Sequence, residues 1–395
     1  MRMTQLKTIA DIQTGPFGSQ LHKEDYVETG TPIVTVEHLG NRVFTEQNLP
    51  RVSDSDKARL IKYTLSTGDI VFSRVGSVDR CSYVDKSHDG WMFSGRCLRV
   101  RPTELVDSLY LYYYFCLEET KQFVRNIAVG ATMPSINTKL LGEVEIALPD
   151  LNSQKRIAAV LSSLDDKIEN NQKLNDNLEQ QAQSYFQELF VDNADPEWAI
   201  GTISDLGTVV GGSTPSKAKP EYYTESGIAW ITPKDLSINK SKFVSHGEND
   251  ITELGLKNSS AAIMPEGTVL FSSRAPIGYI AIAAGEVTTN QGFKSVVPKP
   301  EIGTPFVYFF LKNTLPVIEG MASGSTFKEV SGSTMKNVPA VIPDAETLAK
   351  FSDFCAPIFA QQRILEEQNQ SLATLRDNLL PKLMSGEIDV SAVQL

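Results

Sequence analysis

The sequence predicts an α+β protein in which two tandem domains of mixed α/β structure are joined by two long helices that form an antiparallel coiled coil. Three observations support this prediction: the chain length, an internal repeat, and two long stretches with a heptad pattern. A chain of 395 residues is long enough for two or three domains at about 100–200 residues each.

The repeat relates the two halves of the chain. Gly68–Arg74 in the first half corresponds to Gly267–Arg274 in the second, and Val144–Pro149 corresponds to Val338–Pro343. These and further paired motifs occur in the same order, about 195 residues apart, and a period of this length indicates domain duplication rather than a solenoid. We place the boundaries at residues 1–152 for the first domain, 153–192 for the first helix, 193–344 for the second domain, and 345–395 for the second helix and tail.

Each domain combines short strands with one apolar helix. Strand-like runs at Asp69–Phe72, Thr268–Phe271 and Glu143–Leu148 are bounded by Gly, Pro, Asn and Ser. The stretches Ser108–Asn126 and Thr304–Leu315 are rich in Leu, Tyr and Phe, which is typical of a helix packed on a sheet. This mixture predicts an α+β domain in each half.

Each repeat ends in a helical stretch with heptad spacing. Residues 154–190 contain no Gly or Pro, and a matching stretch runs from Phe354 until Pro381, which is expected to end it. Apolar or amide residues recur at alternating intervals of four and three, as in a coiled coil. The first helix leaves domain one and the second returns from domain two, so they are expected to pair antiparallel, with Asn171 opposite Gln368 fixing the register. The predicted seam residues are Leu161, Leu164, Ile168, Asn171, Leu178, Tyr185, Ile358, Leu365, Gln368, Leu372, Leu375 and Leu379.

Charge and composition exclude some classes of function. A net charge of -11 excludes a uniformly basic DNA-coating protein, but not a protein that reads nucleic acid through local patches. The four Cys form no CxxC pair, which argues against a zinc site and for a reducing compartment. The N-terminus lacks an apolar signal region, and the apolar runs are too short to span a bilayer, so a cytoplasmic location is expected.

Catalytic motifs are absent from the sequence. It contains no GxxxxGK[ST] phosphate loop, no HExxH metal pair, no GxSxG and no Asn/Asp-Pro-Pro-aromatic methyltransferase pattern. The four His have no metal-ligand spacing. We therefore expect no enzymatic activity, metal or cofactor in this chain.

Polar loops at matching positions suggest DNA contacts instead. Arg74 and Arg274 each follow a buried strand, where a guanidinium can pair with guanine or phosphate; a structural Arg bound to a loop carbonyl or carboxylate is an equally good interpretation. The neighbouring hydroxyl and amide residues can contact phosphates or adenine edges, or can simply form turns. The other candidates taken from these loops are Thr14, Ser19, Ser77, Thr132, Asn137, Ser213, Thr214, Asn290, Gln291, Ser325 and Lys328.

The helix motifs give the chain a family resemblance. Along essentially its whole length it resembles the specificity subunit of type I restriction–modification systems. The motifs that carry the resemblance are Leu380–Ile388, Gln154–Ala158, Leu164–Asn171, Trp230–Leu236 and Phe271–Gly278. The resemblance implies that each α+β region is a target-recognition domain that reads one half of a split double-stranded DNA site, and it adds Lys234 to the DNA-contact candidates.

The resemblance also implies partners. Two modification subunits would carry the adenine methyltransferase chemistry with S-adenosylmethionine, and restriction subunits that use ATP would join them, while this chain would be non-catalytic. The exposed faces of Gln154–Phe190 and Phe354–Leu383 are expected to bind helical partners. Four acids are expected on these faces: Asp165, Glu169, Glu366 and Glu367.

Two other functions remain open at this stage. A free-standing bipartite DNA-binding regulator would bind DNA tightly without any partner. A coiled-coil scaffold with globular ends that bind protein would not bind DNA with any partner. Co-purification with the neighbouring gene products, followed by a gel-shift assay, distinguishes all three.

The duplication predicts modular recognition. If residues 197–343 are replaced by the corresponding domain of another family member, only one half of the recognised site should change, because each half is a complete domain. Methylome sequencing of cells that carry the chimera measures this. Changes in both halves of the motif would contradict modularity.

Overall fold

The chain forms two compact units in a computed structural model that describes residues 2–18, 20–324 and 328–393. Unit 1 comprises residues 1–169 and 371–395, and unit 2 comprises residues 170–370. The units do not follow the composition boundaries at 152, 192 and 344. We call the part of each unit outside the two long helices its target domain, after the domains expected from the sequence. Each long helix contributes one segment to each unit, because each target domain packs on a segment of both helices.

Unit 1 is a mixed α/β structure. The strands are β1 Arg2–Gln5, β2 Ala10–Thr14, β3 Tyr26–Val27, β4 Thr31–Val34, β5 Arg51–Val52, β6 Ile70–Ser73, β7 Cys81–Tyr83, β8 Met92–Phe93, β9 Cys97–Pro102 and β10 Glu145–Leu148. A sheet in the order β2–β9–β6–β7 is antiparallel, a second runs β3–β5–β4–β8 with β4 and β8 parallel, and β1 pairs with β10. The helices are α1 Asp54–Arg59, α2 Ser108–Cys116, α3 Glu118–Ile127, α4 Thr138–Gly142 and α5 Leu151–Gln187.

Unit 2 repeats this arrangement with one additional strand in its larger sheet. The strands are β11 Ala199–Thr202, β12 Gly207–Gly211, β13 Tyr223–Thr224, β14 Ile228–Ile231, β15 Phe243–Val244, β16 Asn249–Ile251, β17 Val269–Ser273, β18 Ile277–Ala283, β19 Thr288–Thr289, β20 Lys294–Pro298 and β21 Pro339–Ile342. The larger sheet runs β12–β20–β17–β18–β15, with β15 as the additional edge strand, the second sheet runs β13–β16–β14–β19, and β11 pairs with β21. The helices are α6 Ile203–Leu206, α7 Pro233–Ile238, α8 Glu253–Lys257, α9 Thr304–Met321, α10 Gly332–Lys336 and α11 Ala345–Ser385. The predicted α+β class and its strand-like runs are confirmed.

The apolar helix of each domain packs between its sheet and the long helices. In unit 1 the buried rings of α2, such as Tyr110 and Phe115, share one core with Leu161 of α5 and Leu383 of α11. The predicted helix Ser108–Asn126 is interrupted at Leu117, whose extended ψ of 133° separates α2 from α3. In unit 2 the core joins Phe309 of α9 to the corresponding segments of both long helices.

Both long helices extend beyond their predicted bounds. Helix α5 begins at Leu151, where Asp150 accepts a hydrogen bond from the Ser153 amide at 3.0 Å, and a π-helical turn at Glu188–Asp192 follows it. The expectation that Pro381 ends α11 was wrong, since the helix continues to Ser385. A proline removes one backbone hydrogen bond from a helix, but the buried side chains of Leu380, Leu383 and Met384 hold the last turns against the core of unit 1.

The two helices run antiparallel within unit 2. Asn171 donates to the side-chain oxygens of Asn369 at 2.9 Å and Gln368 at 3.4 Å, and the ring centroids of Tyr185 and Phe354 are 4.5 Å apart. Residue numbers therefore rise along α5 as they fall along α11. The predicted polar layer forms, and the buried Asn171 has amide partners as a register device requires.

Part of the predicted seam of α11 is out of phase with the buried stripe. Gln368 and Leu375 are exposed, whereas Gln362 and Leu380 are buried. Heptad spacing locates a stripe, but α11 also packs on its target domains, which shifts the buried face toward them. The remaining seam positions split into buried Leu161, Asn171, Ile358 and Leu365 and half-buried Leu164, Ile168, Leu178, Tyr185, Leu372 and Leu379.

The aromatic cluster around α5 predicts a large stability effect. Phe186 is buried, with ring centroids of Phe306, Phe309 and Phe351 5.8 to 5.9 Å from its own. Phe186→Ala should lower the free energy of unfolding by about 3–5 kcal/mol, because the cavity forfeits these contacts. Leu174→Ala, on an exposed face of the same helix, should change it by less than about 0.5 kcal/mol. Chemical denaturation of both variants measures this. Equal losses of unfolding free energy would contradict the placement of Phe186 in the core.

Candidate nucleic-acid interface

In unit 1 the loops with candidate residues converge at the ends of β2 and β6. The Arg74 amide donates to the Arg96 carbonyl at 2.8 Å, and the Gly76 amide donates to the Pro134 carbonyl at 2.8 Å. The Gly15 amide bonds to the Cys97 carbonyl at 3.2 Å. We call this set of segments, residues 14–18, 74–77, 94–96 and 129–136, loop cluster 1.

Arg74 is held by a loop carbonyl and an aromatic ring. Its Nη1 donates to the Gly95 carbonyl at 2.9 Å, and its guanidinium carbon lies 5.3 Å from the ring centroid of Phe17, which is 53% exposed. The carbonyl contact is the structural interpretation that the sequence left open. Nothing in the linear pattern marks Phe17 as exposed or close to Arg74, so the ring could not be predicted as part of this cluster.

A cavity of about 440 Å³ opens beside Phe17. Tyr26, Thr35, Glu37 and Arg96 contribute to its lining. The Thr35 hydroxyl donates to the Glu37 carboxylate at 2.9 Å, and burial, with a smaller contribution from Asp25, raises the pKa of Tyr26. The cavity therefore presents hydrogen-bonding groups and an aromatic surface together.

Unit 2 brings the matching segments together. The Ser213 amide donates to the Thr289 carbonyl at 2.9 Å, the Ser273 amide donates to the Gly292 carbonyl at 2.7 Å, and the Val330 amide donates to the Ser273 carbonyl at 2.9 Å. We call residues 211–214, 274–278, 289–294 and 328–330 loop cluster 2. Loop clusters 1 and 2 thus occupy corresponding positions in the two repeats.

Arg274 faces a carboxylate instead of a carbonyl. Its Nη1 lies 3.6 Å from Oε2 of Glu329, and Nζ of Lys294 lies 3.9 Å from Oε1 of the same residue. Burial lowers the pKa of Lys294, and the nearby charge of Arg274 adds to this, while Glu329 acts in the opposite direction. Lys294 and Glu329 belong to loop cluster 2 although no sequence motif pointed to them.

A glycine in each cluster permits a close approach of two backbone segments. A Cβ on Gly15 would overlap the Ser94 carbonyl, and a Cβ on Gly212 would overlap the carbonyls of Thr289 and Asn290. Any other residue would push the first loop of each cluster away from its neighbour. The repeated Gly therefore preserves the arrangement of the cluster.

Several polar candidates already have partners within the chain. The Thr214 hydroxyl donates to Gln291, the Asn290 side chain accepts from the Gly292 amide at 2.8 Å, and Ser213 Oγ accepts from the Ser260 amide at 3.3 Å. Asn137 caps α4 by accepting from the Leu140 amide at 2.9 Å, so its side-chain oxygen already has a structural role.

The remaining candidates lie near these clusters or outside the described residues. Lys234 is exposed, and its Nζ lies 2.5 Å from Oε2 of Glu248. Thr14 is the last residue of β2. Ser77, Thr132 and Lys328 are exposed. Ser19 and Ser325 lie outside the described residues.

The expectation of four acids on an exposed partner face was largely wrong. Asp165 is buried and accepts from the Tyr113 hydroxyl and Arg376 at 2.6 Å each. Glu169 lies 3.0 Å from Arg42, and Glu366 accepts from backbone amides of its own target domain. Glu367 is exposed and pairs with Arg363. Heptad spacing identifies the seam between helices, but it does not show which other face the target domain covers.

The described residues contain no group of three or more His, Cys, Asp or Glu side chains arranged to hold a metal ion. Over the same ranges, every helix is too short or too polar to cross a bilayer.

Comparison with known proteins identifies the family. The family described as the type I restriction modification DNA specificity domain matches residues 1–180 and 196–375. The chain belongs to this family. The two matched regions correspond to the two halves of the repeat, and each begins with a target domain and continues into a long helix.

Named relatives of this specificity-domain family cover different shares of the chain. The type I restriction enzyme MjaIX specificity subunit of Methanocaldococcus jannaschii is 39% identical over 191 residues, which is 46% of this chain and 44% of that protein. The chain thus spans less than half the length of that relative. The HindI specificity subunit of Haemophilus influenzae is 24% identical over 406 residues, covering 83% of this chain and 88% of that protein.

A solved structure shares the fold of this specificity-domain chain. The S subunit of a type I restriction–modification system from M. genitalium superposes with a TM-score of 0.61 at 18% identity, covering 97% of this chain and 95% of that one. This similarity supports the mixed α/β architecture with long helices.

Proposed function

We propose that this chain recognises a split double-stranded DNA site and directs partner enzymes to it. Residues 1–152 and 193–344 would act as target-recognition domains, each reading one half of the site. The observation that carries this proposal is the repeated loop cluster, in which Arg74 and Arg274 occupy the same position after a central strand. The description of the matching family as a DNA specificity domain supports DNA as the target.

The surroundings of both arginines allow their guanidinium groups to contact DNA. Arg274 lies 3.6 Å from Glu329, longer than a direct charge-assisted hydrogen bond, so a guanine edge or a phosphate can replace the carboxylate as its partner. Arg74 lies over an exposed ring that can pack against a base or sugar. Direct base contacts supply sequence information, whereas phosphate contacts position the protein.

The partners follow from the same assignment. Two modification subunits that bind S-adenosylmethionine would methylate adenine, and ATP-dependent restriction subunits would join them. This chain would catalyse no reaction and hold no cofactor. Exposed positions of α5 and α11 outside the target-domain contacts, such as Leu174 and Leu375, would contribute to the surface that binds the modification subunits.

Reconstitution tests the proposal directly. The chain should co-purify with the modification subunit encoded beside it, and the complex should shift DNA that contains the motif found by methylome sequencing. Tight sequence-specific binding by the chain alone would favour a free-standing regulator. Partner binding without any DNA binding would favour a scaffold.

Arginine substitutions separate base reading from phosphate contact. If Arg74 or Arg274 reads a base, its change to Ala in the assembled complex should cost about 1–3 kcal/mol of binding and relax discrimination at one position. If it binds phosphate, affinity should fall for all sequences and the salt slope should shrink by about one. Fluorescence anisotropy across DNA variants and salt concentrations measures both.

The matched control is Lys257→Ala, which removes an exposed cation of unit 2 that pairs with Glu253. This variant should bind as the wild type does. If the arginine variants also retain wild-type affinity, specificity and salt dependence, the two arginines do not contact DNA.

A further inference from the structure

Each target domain carries a cation that contacts one or both long helices of its own unit, and these two cations occupy corresponding positions. Arg42 lies between β4 and β5, and Lys242 lies between β14 and β16, which occupy the same places in the two smaller sheets. The Arg42 carbonyl accepts from the Tyr83 amide of β7, and the Lys242 carbonyl accepts from the Ile282 amide of β18, each at 2.7 Å. We propose that the contacts of these two cations with the helices are positioning clamps, which fix where each target domain sits on its helices and thereby restrict the spacing of the two half-sites that the protein accepts. This inference rests on the proposed function.

Clamp 1 joins the first target domain to α5. Nε of Arg42 lies 3.0 Å from Oε1 of Glu169, and Nη1 donates to the backbone carbonyl of Ser162 at 3.3 Å. Nη2 donates to Asp166. The planar guanidinium thus has partners on successive turns of one helix, which fixes its position along the helix axis as well as its distance from it.

Clamp 2 joins the second target domain to both long helices. Nζ of Lys242 pairs with Glu179 of α5 and donates to Oε1 of Gln362 of α11 at 2.6 Å. Its side chain is 6% exposed. The ammonium also lies 4.1 Å from the ring centroid of Phe359, an arrangement that favours the cation.

The backbone of the second target domain is held as well. Glu366 of α11 accepts from the Lys242 amide at 2.8 Å and from the Phe243 amide at 3.0 Å. Phe243 begins β15, an edge strand of the larger sheet of unit 2. A carboxylate that accepts from two successive amides fixes the strand end itself, not only a flexible side chain.

Opposite charges stabilise one another in clamp 2. Burial lowers the pKa of Lys242, and nearby Glu179 counteracts this. Burial alone would raise the pKa of Glu179, but Lys242 and Lys312 outweigh it and the pKa is lowered. Lys312 Nζ donates to the same carboxylate at 2.6 Å. The charged forms of Lys242 and Glu179 are therefore stabilised only while these groups remain in contact.

Ion pairs of this kind serve geometry better than stability. Desolvation of buried charges offsets much of their attraction, so apolar replacements can be equally stable, whereas sliding of a charged contact leaves unpaired groups. An apolar contact between a domain and a helix tolerates small shifts. A target domain that could shift along its helices would accept half-sites at more than one spacing.

The test uses the assembled methyltransferase complex and a panel of DNA duplexes. Each duplex carries both half-sites, and the unread spacer between them is shortened or lengthened one base pair at a time. The variant combines Lys242→Met with Glu179→Gln, so neither charge of the pair is left alone. Lys312, which also pairs with Glu179, is 35% exposed and can be solvated. Its preference for the wild-type spacer over the next length should fall by about tenfold, a factor that corresponds to roughly 1.4 kcal/mol. Both half-site sequences should stay unchanged.

The matched control combines Lys257→Met with Glu253→Gln, an exposed ion pair of the same unit. Its spacer preference should equal that of the wild type. If the clamp 2 variant keeps the wild-type preference, or loses methylation equally at every spacing while its melting temperature is normal, the positioning role is wrong. If the wild-type complex methylates no split site, the proposed function itself fails.

Variants of clamp 1 test the positioning role if the clamp 2 variant does not fold. Arg42 is more exposed than Lys242, so Arg42→Met should be tolerated and should also broaden the accepted spacing. Arg42→Lys retains a cation and should keep a spacing preference between those of Arg42→Met and the wild type. Equal, unbroadened preferences in both Arg42 variants would overturn the inference.

Discussion

Each target domain completes its core with side chains from the two long helices, and much of the structure depends on this packing. Leu161 and Leu383 are buried with the aromatic helix α2 in unit 1, and Phe186 and Phe351 are buried with α9 in unit 2. The compact units therefore include helix segments that the sequence assigns to separate spacers. Removing apolar surface from water is the dominant driving force for folding, so a target domain separated from its helix segments would expose a large part of its core.

The polar groups within this packing fix the register of the packed elements. The amide of Asn171 meets Asn369 and Gln368, and the clamps at Arg42 and Lys242 connect charged groups of each target domain to the helices. Apolar contacts bring the elements together without specifying a precise register, whereas buried amides and ion pairs penalise a shift because each partner left behind remains desolvated. These groups suit a protein whose proposed task requires fixed domain positions.

The loop clusters show how the two repeats share a backbone arrangement while their side chains differ. Gly15 and Gly212 allow the same close backbone approach in both domains, and an Arg follows the same strand in each. The residues beside the Arg differ, with Phe17 in the first cluster and Glu329 in the second. Under the proposed function, such differences would let the two domains read different half-sites from one scaffold.

The sequence by itself determined the α+β class, the duplication and the two long helices, because these depend on periodic and repeated patterns that are read locally. It also placed Arg74 and Arg274 at strand ends and paired Asn171 with Gln368. Only the tertiary structure decided which face of each helix is covered. Asp165 and Glu366 resemble exposed helix acids in the sequence, yet the target domains cover them. It also decided that Phe17 meets Arg74 and that Lys242 is buried, because these contacts join residues far apart in the chain, and their environment is set by the packing of whole elements rather than by neighbouring residues.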